Sequence, residues 1–409
     1  LETRVTVDTA FSAIADWVVA AGLAGESEAA MLEGFCRRAL AAGVPLARAA
    51  VIIDTLHPVY EGRVFRWLRE DDGEPELIEY SSSTEGELAE RWRASAFYRL
   101  LETGESKLRV RLLPDEPSEF TYLAPFAEQG MTEYLAFINR FAHDGTIGEM
   151  DCVYSYWVTD RPGGFADDEV VQLTALMPTL ALAVKCVSLT RIAQTLVETY
   201  LGRDPGRRVL SGRIGRGVTE TISAALWYSD LRDFTRIADR AEAHQIIPFL
   251  NDYAEVVISA VHDHGGDVLK LIGDGILAVF TGETSEVACQ HAMAAEMTLR
   301  LHLGRLNQRR AFEGLPTTEI YLGLHIGEVS YGNIGSKDRL DFTVVGPAVN
   351  EVSRIAAMCR SVDRELLVSE AFAAAMPLSE REGLVSVGRY ALRGVEQPQH
   401  LFTRDPFAA

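Results

Sequence analysis

Residues 8 to 42 carry apolar positions at helical spacing, with Phe11, Ile14, Trp17 and Val18 on one stripe and Met31, Leu32, Phe35 and Leu40 on a second. Gly22 to Ser27 breaks them, so two helices are predicted. From Ala49 the period changes towards two, and AAVIIDTLHPVYEGRVFRWLRE reads as strand, loop and strand rich in β-formers. Residues 70 to 90 are acidic and serine-rich and predict a solvated loop. FTYLAPF, EYLAFINRFA and DCVYSYWVTD read as three further strands, and FADDE caps a long helix running towards Tyr200. Two helices, about five strands and an exit helix predict a sheet with helices on one side.

In the exit helix, Leu173, Leu176, Leu180, Ala183 and Val187 recur at three- and four-residue steps. This spacing fits a parallel coiled-coil seam or packing on the domain's own sheet. Pro178 predicts a kink. Residues 201 to 217, rich in glycine and arginine, mark a boundary and read as a solvated linker.

A fresh pattern starts at Thr219. An apolar strand ends at Ser229-Asp230, and helical periodicity, interrupted near Pro248, leads into VLKLIGDGILAVF, two apolar strands about a Gly-Asp-Gly turn. That hairpin is unusual in carrying Lys270 within a strand and Asp274 at the tip. A helix, strands at TEIYLGLHIGEV and RLDFTVVG, a helix at AVNEVSRIAAMC, a strand at ELLVS and a hairpin from Leu384 to Thr403 complete the chain. The order βααββαβ, with edge strands added, predicts an α+β ferredoxin-like sheet with helices on one face.

Composition narrows the function classes. The apolar fraction of 47% and charged fraction of 24% are those of a globular chain, and 409 residues suggest two or three domains. A formal charge of −20 argues against gripping a nucleic-acid backbone, but not against a nucleotide whose phosphates arrive with a metal ion. The five cysteines are scattered, predicting reduced, mostly buried thiols in a cytoplasmic protein. No run approaches the ~18 apolar residues a membrane span needs, and no signal-peptide pattern opens the chain, which starts without methionine. His262 and His264 could hold a metal, although a surface loop is the simpler reading.

Residues 25 to 190 resemble a GAF sensor domain in strand order and in the phrase GGFADDEVVQLTALMPTLALAV. The resemblance implies a small-molecule pocket or a dimerisation role, responding to an unknown small-molecule or protein signal. Trp67, Tyr154, Tyr156 and Trp157 could line such a pocket, or simply be core. The expected organisation is a sensory domain over residues 1–190, a helical linker over 191–218 and a catalytic domain over 219–409.

Residues 219 to 403 resemble the catalytic domain of a class III nucleotidyl cyclase through WYSDLRDFT, VLKLIGDGILAVF and LDFTVVGPAVNEVSRI, in that order. The resemblance implies that Asp230 and Asp274 hold two Mg²⁺ or Mn²⁺ ions, and that Lys270 reads the base together with Thr343. It implies that Asn350 orients the ribose and Arg354 meets the transition state. Threonine at position 343 is typical of the subgroup containing bicarbonate-responsive cyclases. Arg339 and Arg393 fall near positions that are often basic and could reach the triphosphate.

Residue chemistry agrees with these roles. Two metal ions would lower the pKa of the ribose 3′-hydroxyl and clamp the attacking and leaving oxygens during in-line attack on the α-phosphate. Backbone N–H groups of Leu231, Arg232, Asp233, Phe234 and Thr235, opening a helix, could hold the outer phosphates. Arg354 lies four residues after Asn350, on one helical face, and its fork suits a phosphorane gaining charge. Lys270 only donates, which suits adenine N1 and opposes the N1–H of guanine, so ATP is favoured over GTP. The family builds its site between two such domains, and a single domain carrying both residue sets implies a head-to-tail homodimer. A guanylate cyclase and a silent nucleotide-binding module are the alternatives. Asp233 departs from the family's usual glycine, which places a carboxylate beside the phosphate loop.

Overall fold

The computed structural model describes residues 2–71, 73–81, 86–113, 118–142, 147–148 and 150–405. The chain divides into two units, Leu1–Leu196 and Val197–Ala409.

The first unit contains α1 (Glu2–Ala24), α2 (Glu28–Ala41), β1 (Arg48–Asp54), β2 (Gly62–Leu68), β3 (Glu76–Tyr80), α3 (Gly86–Arg93), α4 (Ala96–Thr103), β4 (Lys107–Arg111), α5 (Ala124–Glu128), β5 (Glu133–Arg140), β6 (Cys152–Thr159) and α6 (Asp167–Leu201). Its sheet runs β3-β2-β1-β6-β5-β4. Ser27 caps α2 by accepting from the Ala30 N–H, as the break before it requires. Both sheet faces are covered. Val51, Phe65, Trp67, Leu135 and Trp157 pack with α1, α2 and α6, while Tyr134, Ala136, Tyr154 and Val158 pack with α4 and the α5 region.

Several sequence expectations are corrected here. Helices on one side becomes helices on both, because alternate residues of β5 and β6 are apolar in both directions. FTYLAPF is a 3₁₀ turn followed by α5, since Pro125 sits at the helix start rather than in a ladder. Within residues 70–90 the solvated loop gives way to β3 and the start of α3, although 72 and 82–85 lie outside the described residues. Trp67 and Trp157 belong to one face and Tyr154 and Tyr156 to the other, so the four do not line one pocket.

The exit helix settles one open alternative. Leu173, Leu176, Leu180 and Ala183 are buried in the core of their own unit, so this stretch packs on its own sheet. Pro178 lies inside this continuous helix without ending it. This is also the one described helix long and apolar enough to cross a membrane by length and hydropathy. Its buried stripe is that of a core helix.

The second unit contains α7 (Arg203–Leu210), β7 (Thr219–Leu231), α8 (Phe234–Ala238), α9 (Ala243–Asp263), β8 (Asp267–Ile272), β9 (Gly275–Phe280), α10 (Ser285–Phe312), β10 (Ile320–Gly335), β11 (Leu340–Val345), α11 (Pro347–Val362), β12 (Leu366–Ser369), α12 (Glu370–Ala375), α13 (Leu378–Arg381), β13 (Leu384–Tyr390) and β14 (Gln399–Arg404). The sheet order is β13-β14-β12-β10-β7-β9-β8, with β11 added to β10. Strands β10-β7-β9-β8 are antiparallel neighbours in the ferredoxin-like order, and β12, β14 and β13 extend that sheet.

The expectation of helices on one face is again too simple. Ala225 and Trp227 face α9 and α10, while Ala224 and Leu226 face the opposite way, towards Ala348 and Val352 of α11. A strand apolar on both faces needs cover on both. Pro248 lies inside α9 without ending it, and the helical break falls instead between α8 and α9. The basic linker is likewise more than a solvated tether. In α7, Arg208 pairs with Asp204 and Glu220, and Tyr331 of β10 donates to Asp204 at 2.8 Å.

Candidate active site

The carboxylates of Asp230 and Asp274 meet where the end of β7 faces the tip of the β8–β9 hairpin. Two glycines permit this. Gly273 takes φ +64° at the first turn position, and a Cβ on Gly275 would stand 2.9 Å from the Tyr228 hydroxyl and 3.3 Å from the Ser229 carbonyl. The two carboxyl groups stand side by side, close enough to share a hydrogen bond. Burial first, then that bond and the Asp274 charge, push the Asp230 carboxyl up to about 7; the Leu231 N–H acts the other way. Two carboxyl groups held this close suit a divalent cation.

A cavity of about 170 Å³ adjoins the pair, lined in part by Ile247, Leu250, Ala254 and Val257 of α9. No cluster of three or more His, Cys, Asp or Glu side chains is placed to hold a metal among the described residues. His262 and His264 stand at the end of α9, where His264 Nε2 lies 2.8 Å from Thr298 Oγ1, so the metal alternative there finds no support.

The phosphate loop differs from expectation. Leu231 is still in β7, and the Arg232 N–H donates to the Glu319 carbonyl at 2.8 Å. At least one of the five expected donors is thus engaged within the fold. The helix after them, α8, is one short turn, anchored by Phe234 stacking on Phe249. Asp233 adopts φ 55° and ψ 27°, the left-handed conformation that explains a glycine preference at this point. Its carboxylate lies 3.3 Å from Arg236 and 3.4 Å from Arg360, so the added charge meets two cations.

Lys270, on β8, makes an ion pair with Asp341 on β11. Thr343 is buried two residues further along that strand, on the same side as Asp341. Asn350 and Arg354 share the exposed face of α11, opposite buried Ala348, Val352 and Ile355. Asn350 lies ten residues before Arg360, the residue that reaches Asp233, which is about 15 Å of helix. Arg339 and Arg393 stand exposed, in the β10–β11 turn and the β13–β14 loop. Asp341, Arg236 and Arg360 were not singled out from sequence. Only Asp341 had a signal, its two-residue offset from Thr343.

Residues 218–403 match the family model described as the adenylate and guanylate cyclase catalytic domain. An adenylate cyclase of Anabaena cylindrica is 30% identical over 154 residues, covering 38% of this chain and 31% of that protein. Adenylate cyclase 1 of Rhizobium meliloti (strain 1021) is 26% identical over 165 residues, covering 40% of this chain and 25% of that protein. The chain thus spans about a third or less of the length of these curated relatives. Among solved structures, the adenylyl cyclase CyaB from P. aeruginosa aligns at 23% identity and a TM-score of 0.41, over 45% of this chain and 94% of that one. The family match and the curated relatives fall on the second unit, which is similar to adenylate and guanylate cyclase catalytic domains.

Proposed function

We propose that the protein is an adenylate cyclase that converts ATP to 3′,5′-cyclic AMP and pyrophosphate at sites shared by two copies of the chain. The observation that carries this reading is the Asp230–Asp274 carboxyl pair, formed between the end of β7 and the tip of the hairpin that also bears Lys270. When bound between these carboxylates, Mg²⁺ or Mn²⁺ supplies Lewis acidity towards the ribose 3′-hydroxyl and the leaving pyrophosphate. The chain's own residues do the remaining work. Lys270 donates to adenine N1 and the Thr343 hydroxyl accepts from the N6 amino group. Asn350 holds the ribose, and Arg354 offers a fixed pair of donors to the phosphorus centre as negative charge builds.

Sharing between copies is supported by the spread of these groups over one chain. Asn350 sits about 15 Å of helix away from the residue that touches the phosphate loop. Leu271 and Ile272, at the hairpin tip, are exposed apolar residues of the kind a second subunit covers. The first unit, a sheet sandwiched by helices, serves in this reading as a GAF-like sensory or dimerisation domain, with α6 and α7 as the connection.

Purified protein incubated with ATP or GTP, under Mg²⁺ or Mn²⁺, tests the proposal. Cyclic AMP in clear excess over cyclic GMP is expected, with Lys270→Glu shifting the preference towards GTP. No cyclic nucleotide under either metal would instead favour a binding module.

A further inference from the structure

Strand β10 presents two glycines and a histidine to helix α11. Ile320, Leu322 and Leu324 point into the core shared with α9 and α10, so the alternate residues Gly323, His325 and Gly327 face the other way, towards α11. A Cβ on Gly323 would stand 2.7 Å from the Val352 carbonyl, and one on Gly327 would stand 2.8 Å from the Ala348 Cβ. These close approaches set the distance between helix and strand. They offer no side chain that would stop the helix turning about its own axis. The helix start adds little restraint, because Gly346 at the cap position makes no side-chain bond to the first turn.

His325, buried between the two glycines, supplies a polar restraint. Its Nδ1 lies 2.8 Å from Ser369 Oγ at the end of β12, and its Nε2 lies 3.6 Å from the Glu351 carboxylate on α11. Ser369 Oγ caps α12 by accepting from the Phe372 N–H, which leaves its hydroxyl proton free for His325 Nδ1. That tautomer turns Nε2–H towards Glu351, whereas the other would set a lone pair against a carboxylate. Burial keeps the ring neutral, with its pKa lowered to about 4. Folding alone gives little reason for Glu351. Burial raises its pKa, and its contact with His325 is longer than a full hydrogen bond, so leucine in this place would be about as stable. What the carboxylate adds is orientation. It lies in the turn between Asn350 and Arg354, so any rotation that takes it from His325 swings both of those side chains.

We infer that His325 and Glu351 are positioning residues that fix the rotation of α11, and with it the aim of Asn350 and Arg354. The inference rests on the adenylate-cyclase reading above, and deepens it.

The test uses the full-length protein as wild type, Glu351→Leu, Glu351→Gln, His325→Phe and the His325→Phe/Glu351→Leu double variant, with thermal melts to confirm folding. Cyclase kinetics are measured beside dissociation constants for a non-cyclisable ATP analogue and hydrogen exchange over residues 347–354. Glu351→Leu and His325→Phe are each expected to lower kcat about tenfold, as a small misplacement of a catalytic group does. KM and the analogue Kd should change far less, because Arg354 acts in the transition state and Lys270, Thr343 and the carboxylate pair lie on other elements. Exchange over 347–354 should quicken while the β7–β10 ladder stays protected. Glu351→Gln keeps an acceptor for Nε2–H and should recover most of kcat. The double variant should lose no more than either single one. Wild-type kcat and exchange in both folded single variants, or additive losses in the double variant, overturns the inference, as does a KM that rises as much as kcat falls. No cyclic product from wild type would sink the cyclase reading, and exchange over 347–354 would then decide this inference by itself.

Discussion

At position 233 the backbone stands at φ 55°, where a side chain costs roughly 1–2 kcal/mol unless it is glycine or a short polar residue that bonds locally. Asp233 fits because its carboxylate lies between Arg236 and Arg360. Asp233→Gly is therefore expected to stay within about 1 kcal/mol of wild type, losing two partly exposed pairs while relieving the backbone. Asp233→Ala keeps the Cβ and loses the pairs, so it should be about 1 kcal/mol less stable than Asp233→Gly. Equal stability in thermal unfolding would remove the backbone explanation.

The Asp230–Asp274 pair makes a pH prediction whose sign is fixed. The Asp230 carboxyl lies at about 7 in the fold against ~3.9 in an unfolded chain. Its contribution to stability is thus complete below the unfolded value and lost as pH rises through about 7. Without divalent cations at pH 8, Asp230→Asn should melt a few degrees above wild type. Adding Mg²⁺ or Mn²⁺ should raise the wild-type Tm and leave the variant unmoved. A variant less stable than wild type, or equally responsive to metal, would show that the pair is not a cation site.

These residues differ in how legible they were. Asp230, Asp274 and Lys270 stood out because charges interrupt apolar strands. The Lys270–Asp341 contact spans 71 positions and joins strands that share no ladder, so no local pattern encodes it.

Among the elements, the strands of the second unit were readable because alternation and turn residues agree. FTYLAPF failed because an aromatic-rich run of seven residues has no period of its own, and Pro125 suits a helix start. β3 was missed because it is an edge strand with mostly exposed or half-exposed side chains, so its composition resembles a loop. The placement of α11 on the opposite face was implicit in β7, whose even and odd positions are both apolar.

Helix α7 is the element where the reading changes most. Asp204 accepts from Tyr331 and Arg208, and its N–H donates to Asp267 at the start of β8. Asp204→Ala should therefore cost on the order of 1–3 kcal/mol and release α7 locally. Hydrogen exchange should show lost protection over 203–210 with the β7–β10 ladder unchanged. Unaltered exchange in α7 would mean that its polar contacts do not hold it.

At the scale of the whole molecule, two units with separate cores carry a division of labour that the account assigns to sensing and catalysis. Removing residues 1–190 is expected to change cyclase activity, dimerisation or both, by kinetics and sedimentation. No change in either would leave the first unit without the regulatory role given to it.

The central claim is a cyclase site completed by two copies of the chain, and complementation tests it most directly. Asp230→Ala removes a metal carboxylate and Arg354→Ala the transition-state donor, so each homodimer should be inactive. In an equal mixture, half the dimers are mixed and each has one intact site of two, giving about a quarter of wild-type activity. Activity with ATP returning to that level supports the account. Mixed dimers, confirmed by mass, that stay as inactive as either parent would contradict it.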